Sequence, residues 1–264
     1  MIKIASVSAL LATGAGLSAC GGADSPQAAF AYGVASGDPL SDRVVLWTHA
    51  RFAELDLDVP LTYQVATDAA FTQVVSEGAV RATAATAYTA KADATGLQAG
   101  TAYFYRFKQG GNLSPVGRTR TLPLSTTSLK LAVMSCANYP AGFFNVYAEV
   151  AKSDAELTLH LGDYIYEYGS NGYASADAAA LDRVSLPAHE LLTLADYRTR
   201  HAQYKSDPDS KNLHALKPMI AMWDDHEGAN DAYTDGAENH DPATEGAWRA
   251  RCARHDVCGW LRSP

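Results

Sequence analysis

The rhythm of hydrophobic and polar positions changes near residue 128. Before it, apolar residues form short runs or alternate with polar ones, as in half-buried strands. Val44-Val45-Leu46-Trp47-Thr48 is a compact apolar run, and Leu61-Thr62-Tyr63-Gln64-Val65-Ala66-Thr67 alternates. Tyr103-Phe104-Tyr105-Arg106-Phe107 is another strand, with a hairpin turn after it at Gly110-Gly111-Asn112. Arg118-Thr119-Arg120-Thr121 reads as a closing strand, and residues 123–128, rich in Ser and Thr, as a linker. After residue 128, continuous apolar strands alternate with helices: strands over 129–134, 155–161 and 218–223, helices over 145–153 and 194–204. That order predicts a parallel sheet covered on both faces.

Leu97-Gln98-Ala99-Gly100-Thr101-Ala102-Tyr103 resembles the corner of a fibronectin type III-like sandwich, where a tyrosine hydroxyl bonds back to upstream backbone. The expected organisation is therefore an N-terminal β-sandwich over residues 30–123 and an α/β domain over 129–249. Ahead of both, Lys3 precedes an apolar stretch from Ile4 to Leu17 that is too short for a membrane span. Leu17-Ser18-Ala19-Cys20 is similar to a bacterial lipobox. That resemblance implies a signal peptide over 1–19, lipidation at Cys20 and a tether over 20–29. The product would be exported, periplasmic or at the cell surface, and anchored to the membrane through Cys20. The competing reading is a plain secretory signal with a chance cysteine.

Composition narrows the chemistry. Hydrophobic residues are 47% of the chain and charged residues 19%, enough apolar surface for packed cores rather than disorder. The formal net charge of -8 argues against a generic nucleic-acid binder, so no nucleic-acid partner is expected. It leaves phosphate esters open, because bound metal ions can supply local positive charge. The four cysteines occupy unlike settings and do not read as a disulfide framework; only Cys252 and Cys258 could pair.

Polar residues cluster at the C-terminal end of each predicted strand of the second half, the edge where open α/β sheets bind ligands. The first cluster is Ser135-Cys136-Ala137-Asn138 and the second Gly162-Asp163-Tyr164-Ile165-Tyr166-Glu167. The third is Trp223-Asp224-Asp225-His226-Glu227, with Asn230 beyond it. Taken singly each has a bland reading: Cys136 as a small buried hydrophobe, Tyr166 as core packing, Asp163 as a cap. Three polar strand ends in one array, together with the family motifs they match below, favour a metal site. A carboxylate at a strand end can bridge metal ions. A phenolate and a thiolate together favour ferric iron over magnesium, which prefers oxygen ligands and retained water.

These motifs resemble the alkaline phosphatase D family of calcineurin-like metallophosphoesterases. The hexapeptide at Gly162 and the pentapeptide at Trp223 carry the resemblance together. Gly33-Val34-Ala35-Ser36-Gly37-Asp38-Pro39 and the Val44 strand extend it to residues 30–248. The resemblance implies metal-assisted hydrolysis of phosphate mono- or diesters, with Fe3+ and Ca2+ as cofactors and a small phosphate ester as substrate. It makes Cys136, Asp163, Tyr166 and Asp225 metal ligands, and His226 a ligand or a transition-state stabiliser. Asn138, Asp224, Glu227, Asn230 and Arg198 become candidates for substrate contact or support of the ligands. For Arg198, within Asp196-Tyr197-Arg198-Thr199-Arg200, a structural role competes. His160 alternates with apolar neighbours and is expected in the core, with His189, His201 and His214 structural or superficial.

Family members continue past the third motif with further strands and ligands, including a late Gly-Asp-x-His element. Here the similarity fades after Glu245-Gly246-Ala247-Trp248-Arg249, and residues 250–264 read as an atypical basic tail. The expected fold is thus a fibronectin type III-like β-sandwich followed by an incomplete α/β metallophosphoesterase domain, with turnover reduced or absent. Two further functions compete: a related nucleotidase, and a non-catalytic surface lipoprotein that binds through its sandwich.

Overall fold

The computed structural model describes residues 26–248. The signal segment, Cys20, most of the tether and the basic tail lie outside the described residues. In chain order the strands are β1 (Ala28–Ala29), β2 (Val34–Gly37), β3 (Arg43–His49), β4 (Arg51–Phe52), β5 (Val59–Ala66), β6 (Val74–Ala82) and β7 (Thr89–Thr95). There follow β8 (Ala102–Gln109), β9 (Asn112–Leu113), β10 (Gly117–Arg120), β11 (Leu131–Met134), β12 (Leu157–His160) and β13 (Met219–Ala221). The α-helices are α1 (Asn145–Lys152), α2 (Leu194–Ser206), α3 (Pro208–Leu216) and α4 (Pro242–Glu245).

Strands β10, β8, β5 and β6 form one antiparallel sheet in that order. On β8, Tyr103, Tyr105 and Phe107 point inward and are at most 3% exposed, while Phe104, Arg106 and Lys108 alternate outward. Each buried aromatic is worth about 1.5–3 kcal/mol of hydrophobic stabilisation. Gly110 and Gly111 close the β8–β9 hairpin, as the turn signal requires. At the expected corner, the Gln98 amide donates to the Tyr103 hydroxyl at 2.8 Å. Strands β2 and β7 pair antiparallel with β3 between them, and the three form the facing layer.

The boundary drawn near residue 123 from composition is not a boundary between sheets. Strands β11, β12 and β13 are parallel, and β13 joins β2 through the Met219–Gly37 pair. A single six-stranded sheet, β11-β12-β13-β2-β3-β7, therefore runs through both halves. Gly37 is needed at the junction, because a Cβ there would meet the Met219 carbonyl oxygen at 2.6 Å. Trp47 of β3 is accordingly buried in the same core cluster as Met134, Phe144, Tyr164, Tyr197, Tyr204 and Leu213.

The parallel strands are shorter than the apolar runs that predict them, and their sheet is not covered on both faces among the described residues. Alternation along β11 buries Met134, whereas Leu131 is 44% and Val133 58% exposed. The helix α3 was not expected; Pro208 opens it, and the Asp207 side chain caps it by accepting from Asp209 and Ser210 amides at 2.9 and 3.1 Å. The Thr193 capping box with Asp196 starts α2 where the apolar pattern placed it. His160 is in the core as expected, with Nε2 at 2.9 Å from the Tyr147 hydroxyl. No described helix is long and apolar enough to cross a membrane.

Candidate metal centre

Parallel register brings the ends of β11, β12 and β13 side by side. Beyond the strands the loops remain tied: the Cys136 amide donates to Gly162 O at 3.2 Å and the Ala137 amide to Asp163 O at 2.9 Å. The Met222 amide donates to His160 O at 3.0 Å. Gly162, with φ +104°, makes the second turn possible. A Cβ there would lie 2.5 Å from Asp224 Cβ and 2.6 Å from its amide nitrogen, forcing the second and third motifs apart. Cys136 and Asp163 themselves sit in the left-handed region, with φ of 60° and 53°. Such strain in non-glycine residues is found where surrounding structure holds a functional group in place.

The tightest group is Asp163, Asp225 and His226, each offering a ligand atom within 4.8 Å of the others. Asp163 is 8% exposed; its Oδ2 accepts from the Tyr166 hydroxyl at 3.0 Å, and its buried Oδ1 has no hydrogen-bond partner. The Tyr166 phenol also lies within hydrogen-bonding reach of the Cys136 thiol. Burial and the neighbouring Asp163 charge raise the phenol pKa far above its ordinary value, so the tyrosine is a neutral donor here. A cation beside it would reverse that preference. Cys136 is exposed and reaches the three-residue group through Tyr166.

Two buried glutamates hold the motifs together. The Glu227 carboxylate accepts from the Tyr164 amide and, at 2.9 Å, from the Asp224 amide, so it bridges the second and third loops. Burial raises its pKa. Glu167 is fully buried; it takes His226 Nδ1 at 2.8 Å, the Asn230 amide at 2.7 Å and Asn239 Nδ2 at 2.8 Å. Burial works against charge on His226, but the bond and charge of Glu167 together with the charges of Asp163 and Asp225 outweigh it and raise the imidazole pKa. A carboxylate at Nδ1 fixes the proton there and leaves Nε2 as the other functional nitrogen. Glu167 ends the second motif, which by itself assigns it no role. Its position, one residue beyond Tyr166 and two loops away from His226, carries no signal without the fold.

The remaining candidates fall at different places. Asn138 donates to Tyr173 O at 3.3 Å, and its buried Oδ1 has no partner. Asp225 is itself braced by the His226 and Asp231 amides at 3.0 and 2.5 Å. Asp224 is exposed beside Gly162, and Asn230 Nδ2 donates to Glu238. Arg198 is elsewhere: its guanidinium donates to Ala85 O in the N-terminal half at 2.6 Å. Aromatic rings line the group, with Tyr166 and Tyr168 centroids 4.2 and 5.5 Å from His226.

Carboxylate, imidazole, phenol and thiol donors converging at the C-terminal edge of a parallel sheet define a candidate metal centre of the hydrolytic type. Residues 131–255 match the family described as PhoD-like phosphatase, and residues 16–123 match its N-terminal domain. Alkaline phosphatase D of Bacillus subtilis (strain 168) is 44% identical over 212 residues, which cover 76% of this chain and 36% of that protein. The solved structure of PhoD superposes with a TM-score of 0.76 at 40% identity, covering 85% of this chain and 43% of that one. The chain belongs to the PhoD-like phosphatase family. It spans about a third of the length of the curated relative it matches.

Proposed function

We propose that the protein is a metal-dependent phosphoesterase acting on phosphate mono- or diesters, exported and anchored through Cys20. The observation that carries the reading is the buried, unpartnered Oδ1 of Asp163 beside Asp225 and His226. A buried carboxylate oxygen without a hydrogen-bond donor is costly unless something positive sits against it. The donor set fits metal ions. Asp163, Tyr166 and Cys136 offer the hard oxygen and thiolate donors suited to Fe3+, and Asp225 adds an oxygen donor suited to Ca2+. Bound ions would lower the pKa of a water and offset charge on the phosphoryl oxygens.

The chain's own residues do the rest. Glu167 orients the His226 ring and fixes its tautomer, leaving Nε2 for a ligand or a phosphoryl oxygen. Glu227 keeps the Asp163 and Asp225 loops at a constant separation. Asn138, on the rim, offers an amide oxygen that lacks a partner. Export and lipidation rest on the lipobox-like Leu17-Ser18-Ala19-Cys20.

Metal content and colour test the reading. The 264-residue chain loaded with Fe3+ and then Ca2+ is expected to retain iron and to show a visible phenolate-to-iron charge-transfer band. Tyr166→Phe is expected to lose the band while keeping the circular dichroism of the parent. Protein that stays colourless and iron-free would contradict the reading and favour a non-catalytic surface lipoprotein. A band that survives Tyr166→Phe would return this tyrosine to core packing.

A further inference from the structure

The segment Tyr166-Glu167-Tyr168 supplies both the phenol against Asp163 and the carboxylate against His226, yet it belongs to no sheet. Backbone outside a sheet or helix must satisfy its carbonyls in another way. Here a side chain does so. Arg200, on α2, is 1% exposed, and its guanidinium donates to Tyr166 O and, at 2.9 Å, to Tyr168 O. The same group donates to Leu186 O at 2.8 Å and Pro187 O at 3.2 Å in the neighbouring loop. The carbonyl between, Glu167 O, accepts from the Leu191 amide at 2.9 Å. Three consecutive carbonyls are thereby fixed, the outer two by one planar fork.

No carboxylate lies within salt-bridge distance of Arg200 among the described residues. That contrasts with Arg183, which is paired with Asp207 at 2.8 Å. A buried guanidinium bound only to neutral carbonyls keeps its charge uncompensated at close range. It faces an acidic neighbourhood that includes Glu167 and Asp196. We propose that Arg200 is a positioning residue for the metal centre: it stands in for the missing ladder strand, sets the reach of Tyr166 and Glu167, and offsets the repulsion of the acidic group. This rests on the metal-site reading above. Lysine cannot substitute, because one ammonium cannot span carbonyls on both sides of Glu167.

The test uses Co2+ as a spectroscopic probe in the 264-residue chain and follows the His226 Nδ1 proton by NMR. Arg200→Lys is expected to bind Co2+ about 10- to 100-fold more weakly, the range for residues that orient ligands. It should also lose the downfield His226 proton that reports the Glu167 bond. Arg183→Lys serves as the structural control: it is expected to lower the melting temperature while leaving both readouts in place. If Arg200→Lys does not fold, the wild-type chain still decides. The Arg200 Nε resonance should shift on addition of diamagnetic Zn2+, which shifts no nucleus merely by being near, and that of Arg183 should not. Unchanged Co2+ affinity and an unchanged His226 proton in folded Arg200→Lys overturn the proposal, as does an Arg200 resonance indifferent to metal. Wild-type chain that binds no Co2+ sinks the metal reading instead, and the His226 proton then decides alone whether Arg200 positions Glu167.

Discussion

Asp163→Asn is expected to abolish metal binding without unfolding the protein. Asparagine is nearly isosteric and tolerates the left-handed backbone that Asp163 adopts at φ 53°. Its amide oxygen can still accept from the Tyr166 hydroxyl, which donates to Oδ2 at 3.0 Å in the parent. What disappears is one negative charge that raises the pKa of Glu227 and of Tyr166 but also favours the cation of His226. These effects oppose one another, so the metal-free variant should melt close to the temperature of the parent. Its affinity for Co2+ should fall by more than the roughly 10- to 100-fold typical of residues that only orient ligands. Calorimetric titration and thermal melts of both proteins check the two halves. A variant that loses stability in the metal-free state, or keeps its affinity, would show that Asp163 is a structural cap.

Lys205→Met is expected to stabilise the protein at neutral pH, with the gain shrinking as pH rises. Lys205 is 4% exposed on α2, with Nζ 3.0 Å from the Tyr164 hydroxyl and 3.5 Å from His214 Nε2. Its ammonium also lies 5.2 Å from the Trp47 ring centroid. Burial lowers its pKa from 10.5 to about 7. Its charge also helps hold His160 and His214 neutral, both already disfavoured as cations by burial. Between these two lysine values the unfolded chain binds a proton that the folded chain does not. Wild-type stability from this group therefore rises with pH through the window from about 7 to 10.5, and the penalty is fully present below it. Methionine fills the same space without the charge, and the Tyr164 hydroxyl keeps its 2.7 Å partner in His214 Nε2. The gain at pH 7 should be about 1–4 kcal/mol, the range for replacing buried charge with an apolar group. Urea unfolding of both proteins at pH 7 and near pH 10 measures it. No gain at pH 7, or a gain independent of pH, would mean that solvent or an acidic partner compensates the ammonium.

The outline of the metal centre was legible in the sequence because its donors sit where apolar runs end. Cys136, Asp163 and Asp225 follow strands, and parallel strands place their ends together whatever the details. The residues that orient those donors were not legible in the same way. Glu167 reaches His226 across 59 positions, a contact set only by the loop geometry. Arg200 did carry a signal. Tyr197, Arg200, His201 and Tyr204 recur at helical spacing and form the buried face of α2, whereas Arg198 lies off that face. Because the buried face is polar, hydrophobicity alone could not find it, and the motif drew attention to the half-buried Arg198 instead. The continuous sheet was hidden for a related reason. The strands of the two halves pair through one residue pair, Met219 with Gly37, and a single pair leaves no pattern along either strand.

The central claim is that Asp163, Asp225 and His226 form a metal centre supported by Tyr166 and Cys136. Crystals of the protein soaked in Co2+ and measured at the cobalt absorption edge test it directly. The account predicts an anomalous peak at coordination distance from an Asp163 carboxylate oxygen and at least one of Asp225 and His226. A peak only at other residues, or none at a Co2+ concentration that saturates a known cobalt-binding control, would contradict it.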